Sequence, residues 1–368
     1  MANNFITVKE IARRTLPRLV ENLVFPNLIH KDFSNDFVPG KGAQIQVKKP
    51  VVLKAEEFDE TTGTKAQDVN EQSVTVTLDK LATVDVQFGA IEHAVNVDSL
   101  DRLFIEPAAT ALAQKINNDG LELYKDIPYI CGTAGTTPGA LKDFADARKV
   151  LNANKVPTSD RVAVWDTEAD AKFTTIDAIV HAEKSGSVQA LREGSIGRIF
   201  GLDNYMSQAV KKHTKGTLSG TPKPKAAQKA GASSVTLSAA SMTGTLVKGD
   251  VLTILGDTYT VTADATAADN EITVSIYPAL KKDVTTSTAV TLTGDHTANL
   301  AFHKNAFAFV TRPLAVPSGV ESYVTSLNGV TLRVVKGYDM AHKRDMLSMD
   351  VLYGYKTMYE EMAVRVLG

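Results

Sequence analysis

Two alternating segments flanking an acidic, turn-rich stretch constrain this chain more than any other feature. In AQIQVKKPVVLKA (43–55), Ile45, Val47, Val51 and Leu53 share one face, and Gln44, Gln46, Lys48 and Lys54 the other. Pro50 suits only a sheet edge or a bulge. In SVTVTLDKLATVDVQF (73–88), Val74, Val76, Leu78, Val84, Val86 and Phe88 repeat the pattern. The intervening EEFDETTGTKAQDVNEQ (56–72) is polar and acidic. The spacing predicts one long β-hairpin with a polar tip. Strands of about 12 residues at roughly 3.3 Å each make an arm on the order of 40 Å long. A lone two-stranded hairpin is marginal in water, so the arm needs a surface to lie on, and a neighbouring copy is a natural one. Glu56, Glu57, Asp59, Glu60 and Lys65 are therefore expected at a subunit interface. The excess of acid there calls for positive charge on the opposing surface.

Residues 1–30 predict an amphipathic helix. Thr7 and Glu10 have capping-box spacing. Leu16, Leu19, Val20 and Leu23 recur at helical spacing, and Pro17 predicts a kink or a helix start. No obvious core adjoins this stripe, so Leu16, Leu19 and Leu23 are expected to meet another copy. PAATALAQKINNDGLELYKD (107–126) predicts a long helix, opened by Pro107 and weakened at Asn118–Gly120. Residues 140–215 alternate helix-like stretches with a short strand, RVAVW (161–165), an α+β pattern.

The composition changes near 216. After the Gly/Pro/Lys/Ser connection GTLSGTPKPKAAQKAGASS come short Thr/Val-rich strands, from SVTLSA (234–239) to AVTLTG (289–294). They predict a small β-barrel or sandwich inserted into the α+β domain on an outer face. TLRVVK (331–336) and DMLSMDVLYGYKT (345–357) return to the first pattern as strands.

Little in the chain points to reaction chemistry. HAEKS (181–185) lacks the second His of a zinc protease, GSIGRIFG (194–201) lacks dinucleotide-binding spacing, and no P-loop is present. Cys131 is the one cysteine, so no intrachain disulfide forms. HKNAFAFVTRPL (303–314) places His303, Lys304 and Arg312 around an apolar run. It reads as a core strand, with Arg312 pairing to a carboxylate or backbone carbonyl at a subunit contact. No enzyme activity, cofactor or metal is expected. A net charge of −2 argues against dedicated DNA binding. MANNFITVKEIARR lacks the apolar core of a signal peptide, and no run is long and apolar enough to span a membrane. These features suggest a cytoplasmic protein.

The order of parts resembles the major capsid proteins of tailed bacteriophages. These have the HK97-like fold: N-terminal arm, extended β-hairpin loop, spine helix, peripheral and axial domains. The chain is most similar to the P22-type coat proteins, which carry an inserted β-domain. NLAFHKNAFAFVTRPL (299–314), LRVVKGYDMAHKRDMLSMDVLYGYKTM (332–358), LREGSIGRIFGLDNY (191–205) and the segment ending in the 107–126 helix carry the likeness. It implies an arm over 1–38, an extended loop over 39–90, and a peripheral domain over 91–130 and 331–368. The axial domain would span 131–219 and 299–330, and the small all-β insertion 220–298. It also implies hexamers and pentamers of this chain in an icosahedral shell enclosing double-stranded DNA without sequence-specific binding. A separate scaffolding protein and a portal are implied as partners, because no segment before the arm helix could act as a fused scaffold. The expected location is the virion, with assembly in the host cytoplasm. Expansion during maturation is expected to use hinges flanking the hairpin and bending of the long helix near Asn118–Gly120. A different reading takes the β-domain as a carbohydrate- or surface-binding module.

Overall fold

The computed structural model describes residues 8–31, 44–48, 73–89, 104–181, 192–339 and 344–368. The expectations placed on Thr7, Glu56, Glu57, Asp59, Glu60 and Lys65 fall outside the described residues.

The leading helix, Val8–Asn22, buries Val8, Ile11, Ala12, Leu16, Leu19 and Val20. This is the i, i+3, i+4 stripe of an amphipathic helix. Pro17 lies inside it on the exposed side and does not end it. There the carbonyl it leaves without a backbone donor stays near water. The stripe packs on the long helix Glu106–Leu121 and on strands Glu321–Leu327 and Val330–Asp339.

Asn117, Asp119 and Gly120 are helix-weakening residue types, yet they anchor the long helix. Asn117 Oδ1 accepts from the backbone N–H groups of Val24 and Phe25, each at 3.2 Å, and its amide donates to Asn22 O at 3.1 Å. It thereby caps the turn after the leading helix. Asp119 accepts from the Tyr353 hydroxyl at 2.7 Å and pairs with Lys115 at 2.9 Å. These bonds hold its carboxyl below the usual range, although burial opposes them. Gly120 lets Phe25 and Tyr355 approach: a Cβ there would lie 2.5 Å from Phe25 Cδ1 and 2.9 Å from Tyr355 Cζ. The expected bend near Asn118–Gly120 therefore falls on a tightly fastened segment.

Among the described residues, a five-stranded antiparallel sheet runs Phe307–Arg312, Arg344–Thr357, Val330–Asp339, Glu321–Leu327. Lys80–Gly89 pairs along the other edge of Arg344–Thr357, with Val86 opposite Leu347. This corrects the single-hairpin reading. Ser73–Thr77 does pair with Gln44–Lys48, but the chain leaves that partner at Leu78–Asp79. Lys80–Gly89 gains a ten-residue ladder and buries Ala82, which a two-stranded ribbon could not offer. The switch passes over Gly354, where the Thr77 carbonyl oxygen occupies the space a Cβ would need.

A seven-stranded mixed sheet follows the order Ile130–Gly132, Ala363–Leu367, His296–His303, Arg161–Trp165, Leu202–Met206, Arg198–Ile199, with Lys212–His213 also on His296–His303. Its central strands, Ala363–Leu367, His296–His303 and Arg161–Trp165, are covered on both faces and almost wholly buried. Val162, Val164, Leu300 and Phe302 join the core beneath the two helices. Ala163, Trp165, Ala301, Val364 and Val366 face helix Leu141–Ala153. There Phe144, Trp165 and Phe173 pack with ring centroids 4.4–5.1 Å apart.

Residues 223–292 build a six-stranded sheet around a separate core that includes Val235, Leu237, Leu252, Tyr259, Ile272 and Val274. Strict alternation in Ser234–Ser238 and Glu271–Tyr277 turns Thr236 and Thr273 outward, their hydroxyls 3.0 Å apart.

Candidate subunit-contact residues and the buried junction

Leu16, Leu19 and Leu23 do not face outward. They are 3%, 0% and 2% exposed within the single chain. The stripe expected to need another copy finds its cover on the long helix and the five-stranded sheet of its own molecule. The hairpin root behaves likewise: Val76 is buried, and Ile45, Val47 and Val74 pack on Ala308, Val310 and Met358. Sequence spacing revealed the stripes but not the surfaces opposite them, which lie some 90 to 300 residues away along the chain.

Strand Phe307–Arg312 is a core strand: Phe307, Ala308, Phe309 and Val310 are fully buried. His303 Nδ1 accepts from Asn305 N–H at 3.2 Å and caps the short 3-10 turn before that strand, and burial pushes its pKa down. Half-buried Arg312 ends the strand opposite Leu352. Burial, with Asp146 and Asp143 nearby, pushes the Cys131 thiol up to about 12, which leaves little thiolate for nucleophilic chemistry. Among the described residues, no three His, Cys, Asp or Glu side chains gather as a metal site.

A dense polar cluster among the described residues was not legible in the sequence. Arg365, fully buried on the C-terminal strand, donates to the carbonyl oxygens of Tyr124 (2.6 Å), Ile127 (3.0 Å) and Gly249 (2.8 Å). Its Nη1 lies 3.4 Å from His296 Nε2. His296 Nδ1 donates to Gly294 O at 2.8 Å, so Nε2 is the acceptor toward Arg365. Burial above all, then the guanidinium and His213, pushes His296 down to about 4. His213 meets Asp250 Oδ1 at 3.0 Å and the Tyr124 hydroxyl at 3.0 Å. Asp250 also accepts from the N–H groups of Gly216 and Val247. Strands of two sheets, the 3-10 turn Glu122–Asp126 and the stem of the β-domain thus close on one another through hydrogen bonds. Lys248–Asp126 at 3.1 Å, Thr260 Oγ1 on Lys125 O at 2.9 Å, and the Tyr277 hydroxyl on Glu360 and Glu361 extend the seam. Its geometry fastens one part of the molecule to another. The only sequence signal was a lone arginine inside the apolar AVRVL (363–367).

No protein-family model matches the chain. It is 22% identical, over 432 aligned positions covering all of both chains, to the major capsid protein of Acyrthosiphon pisum secondary endosymbiont phage 1. Its structure superposes on one from Mycobacterium phage Che8 with a TM-score of 0.53 at 18% identity, over 94% of this chain and 90% of that one. It also superposes on a chain from the capsid of cyanophage P-SCSP1u, with a TM-score of 0.52 at 13% identity, over 94% and 88%. The chain has an HK97-like capsid fold. On this capsid fold, exposed apolar side chains gather at sheet margins. Phe200, Tyr205 and Met206 stand at the edge of the seven-stranded sheet, and Val320, Leu327 and Tyr338 at the entry to the edge strand Glu321–Leu327, on that strand and on its neighbour Val330–Asp339.

Proposed function

We propose that this chain is the major shell-forming subunit of a tailed-phage capsid, a structural protein whose copies close into an icosahedral shell around double-stranded DNA. The observation that carries this is the end-to-end match to a protein named as a phage major capsid protein, joined to a capsid fold over 94% of the chain. The apolar sheet margins fit a molecule that meets many copies of itself. On this reading residues 1–38 are the arm and 39–90 the extended loop. Residues 91–130 and 331–368 form the peripheral domain, 131–219 and 299–330 the axial domain, and 220–298 the insertion. Subunits group as hexamers and pentamers, a separate scaffold and a portal guide closure, and DNA is held by confinement in the virion. Assembly takes place in the host cytoplasm. The anchored seam around Arg365 supports a β-domain that moves with the body of the subunit.

The sugar-binding reading depends on the only two aromatic residues of 220–298. Tyr259 is buried and its oxygen accepts from Lys281 N–H, while the Tyr277 hydroxyl is engaged by Glu360 and Glu361. Tyr259 therefore offers no open stacking face. Sedimentation of the overexpressed full chain, alone and with the proteins encoded beside it, tests the proposal. Fast-sedimenting particles of uniform size are expected; a chain that stays monomeric under every condition contradicts it.

A further inference from the structure

The seam around Arg365 joins two parts that keep separate cores. The core of the β-domain draws only on residues within 218–292 and shares none with the core beneath the two helices. The chain crosses between domain and body twice, over 214–222 and over 293–295. The bonds that fasten the domain between those crossings are polar: Arg365 Nη1 on Gly249 O, His213 on Asp250, Thr260 Oγ1 on Lys125 O, and Lys248 on Asp126. Such a seam can part without opening either core.

His296 sits where the seam meets the second crossing. Its Nδ1 holds Gly294 O, within that crossing, at 2.8 Å, and its Nε2 stands 3.4 Å from Arg365 Nη1. With Nδ1 committed, an added proton goes to Nε2. Two N–H donors and two positive charges then face each other, and because both side chains are buried, water does little to screen them. The groups packed around the pair are His213, its ring centroid 5.2 Å from that of His296, and Tyr124, its ring 5.0 Å from the guanidinium. Glu122, Lys125 and Asp126 belong to the same 3-10 turn as Tyr124, and Lys248 pairs with Asp126. Asp250, the fully buried carboxylate of the cluster, is already engaged by His213 and by the N–H groups of Gly216 and Val247. Arg365 Nε has no acceptor even before a proton arrives. Burial above all holds His296 down at about 4, against 6.5 for the ordinary imidazole. An open seam restores the ordinary proton affinity, so acid favours opening as the pH falls through 6.5 toward 4.

We propose that this junction is a proton-released latch: a proton taken from solvent at His296 parts Arg365 from the β-domain, which then swings on its two crossings while both cores stay folded. The device lies within one chain and stands apart from the shell reading.

Hydrogen–deuterium exchange of the unassembled full-length chain at pH 7 and pH 4.5, with exchange times scaled to the intrinsic rate at each pH, tests it. Peptides covering 212–218 and 245–250 report the seam. Peptides covering 234–238 and 271–277 report the β-domain core, and 106–121 the body. The expected result is a loss of seam protection of roughly tenfold or more at pH 4.5, with both cores protected as at pH 7. His296→Asn and His296→Gln keep an uncharged side chain at either pH and are each expected to abolish the acid-induced loss. Seam amides equally protected at both pH values overturn the proposal, as does protection lost from seam and cores together. A His296 variant whose seam still loosens in acid as the wild type does also overturns it, because another group then drives the release. The wild-type comparison decides even where a variant fails to fold.

Discussion

Arg365 is wholly buried and donates to three backbone carbonyls. Replacing it with Met preserves much of its volume but strands the acceptors of Ile127 and Gly249, while Tyr124 O keeps the Ile127 N–H. The expected cost is roughly 3 kcal/mol or more, seen as a lowered urea midpoint at an unchanged slope. His296 makes the same junction sensitive to acid. Its pKa is about 4 in the folded protein against 6.5 without burial. Between those values the unfolded chain binds a proton that the folded one refuses, so stability is full above pH 6.5 and falls toward pH 4. The drop is of order 3 kcal/mol. Urea midpoints at pH 7 and pH 4.5 measure it, and His296→Asn is expected to flatten the slope over that range. Neither residue announced itself in the sequence, because the partners of Arg365 and His296 are backbone groups and rings contributed by distant segments. The apolar positions around them were legible, since Val364 and Val366 alternate with Arg365 as a buried strand requires.

Where an element's partner was local, periodicity located it. Where the partner was distant, periodicity located only the need for one. RVAVW and the alternating runs at 234–238 and 271–277 fold as the expected strands, and the two runs pair with each other. The leading helix had the right stripe and the wrong neighbour: its cover is the long helix and a sheet formed some 300 residues later. Leu19→Ala distinguishes the two covers. Because the site lies in the chain's own core, the unassembled subunit is expected to lose about 2–5 kcal/mol of stability; an outward-facing leucine would cost it almost nothing. The 73–88 run misled because its period of two continues through Thr77 and beyond while its hydrogen-bond partner changes. Gly120 reverses a propensity argument. Alanine is the better helix former by about 1 kcal/mol, yet its methyl would press on Phe25 and Tyr355. Gly120→Ala is therefore expected to destabilise by roughly 1–3 kcal/mol, read from the thermal midpoint with helix content unchanged.

At the scale of the whole molecule, the described residues satisfy their core within one chain and still present apolar sheet margins. On the shell reading proposed above, neighbours would meet through such surfaces. Closure would then depend on margins such as Phe200, Tyr205 and Met206 meeting their counterparts, while the seam around Arg365 keeps the β-domain in register with the body. The most direct test is electron microscopy of the full-length chain after assembly. The account predicts closed, uniform icosahedral particles whose repeating density fits this fold with the leading helix inside its own subunit. Stable single chains, or only irregular aggregates, under all conditions that keep the protein folded would contradict it.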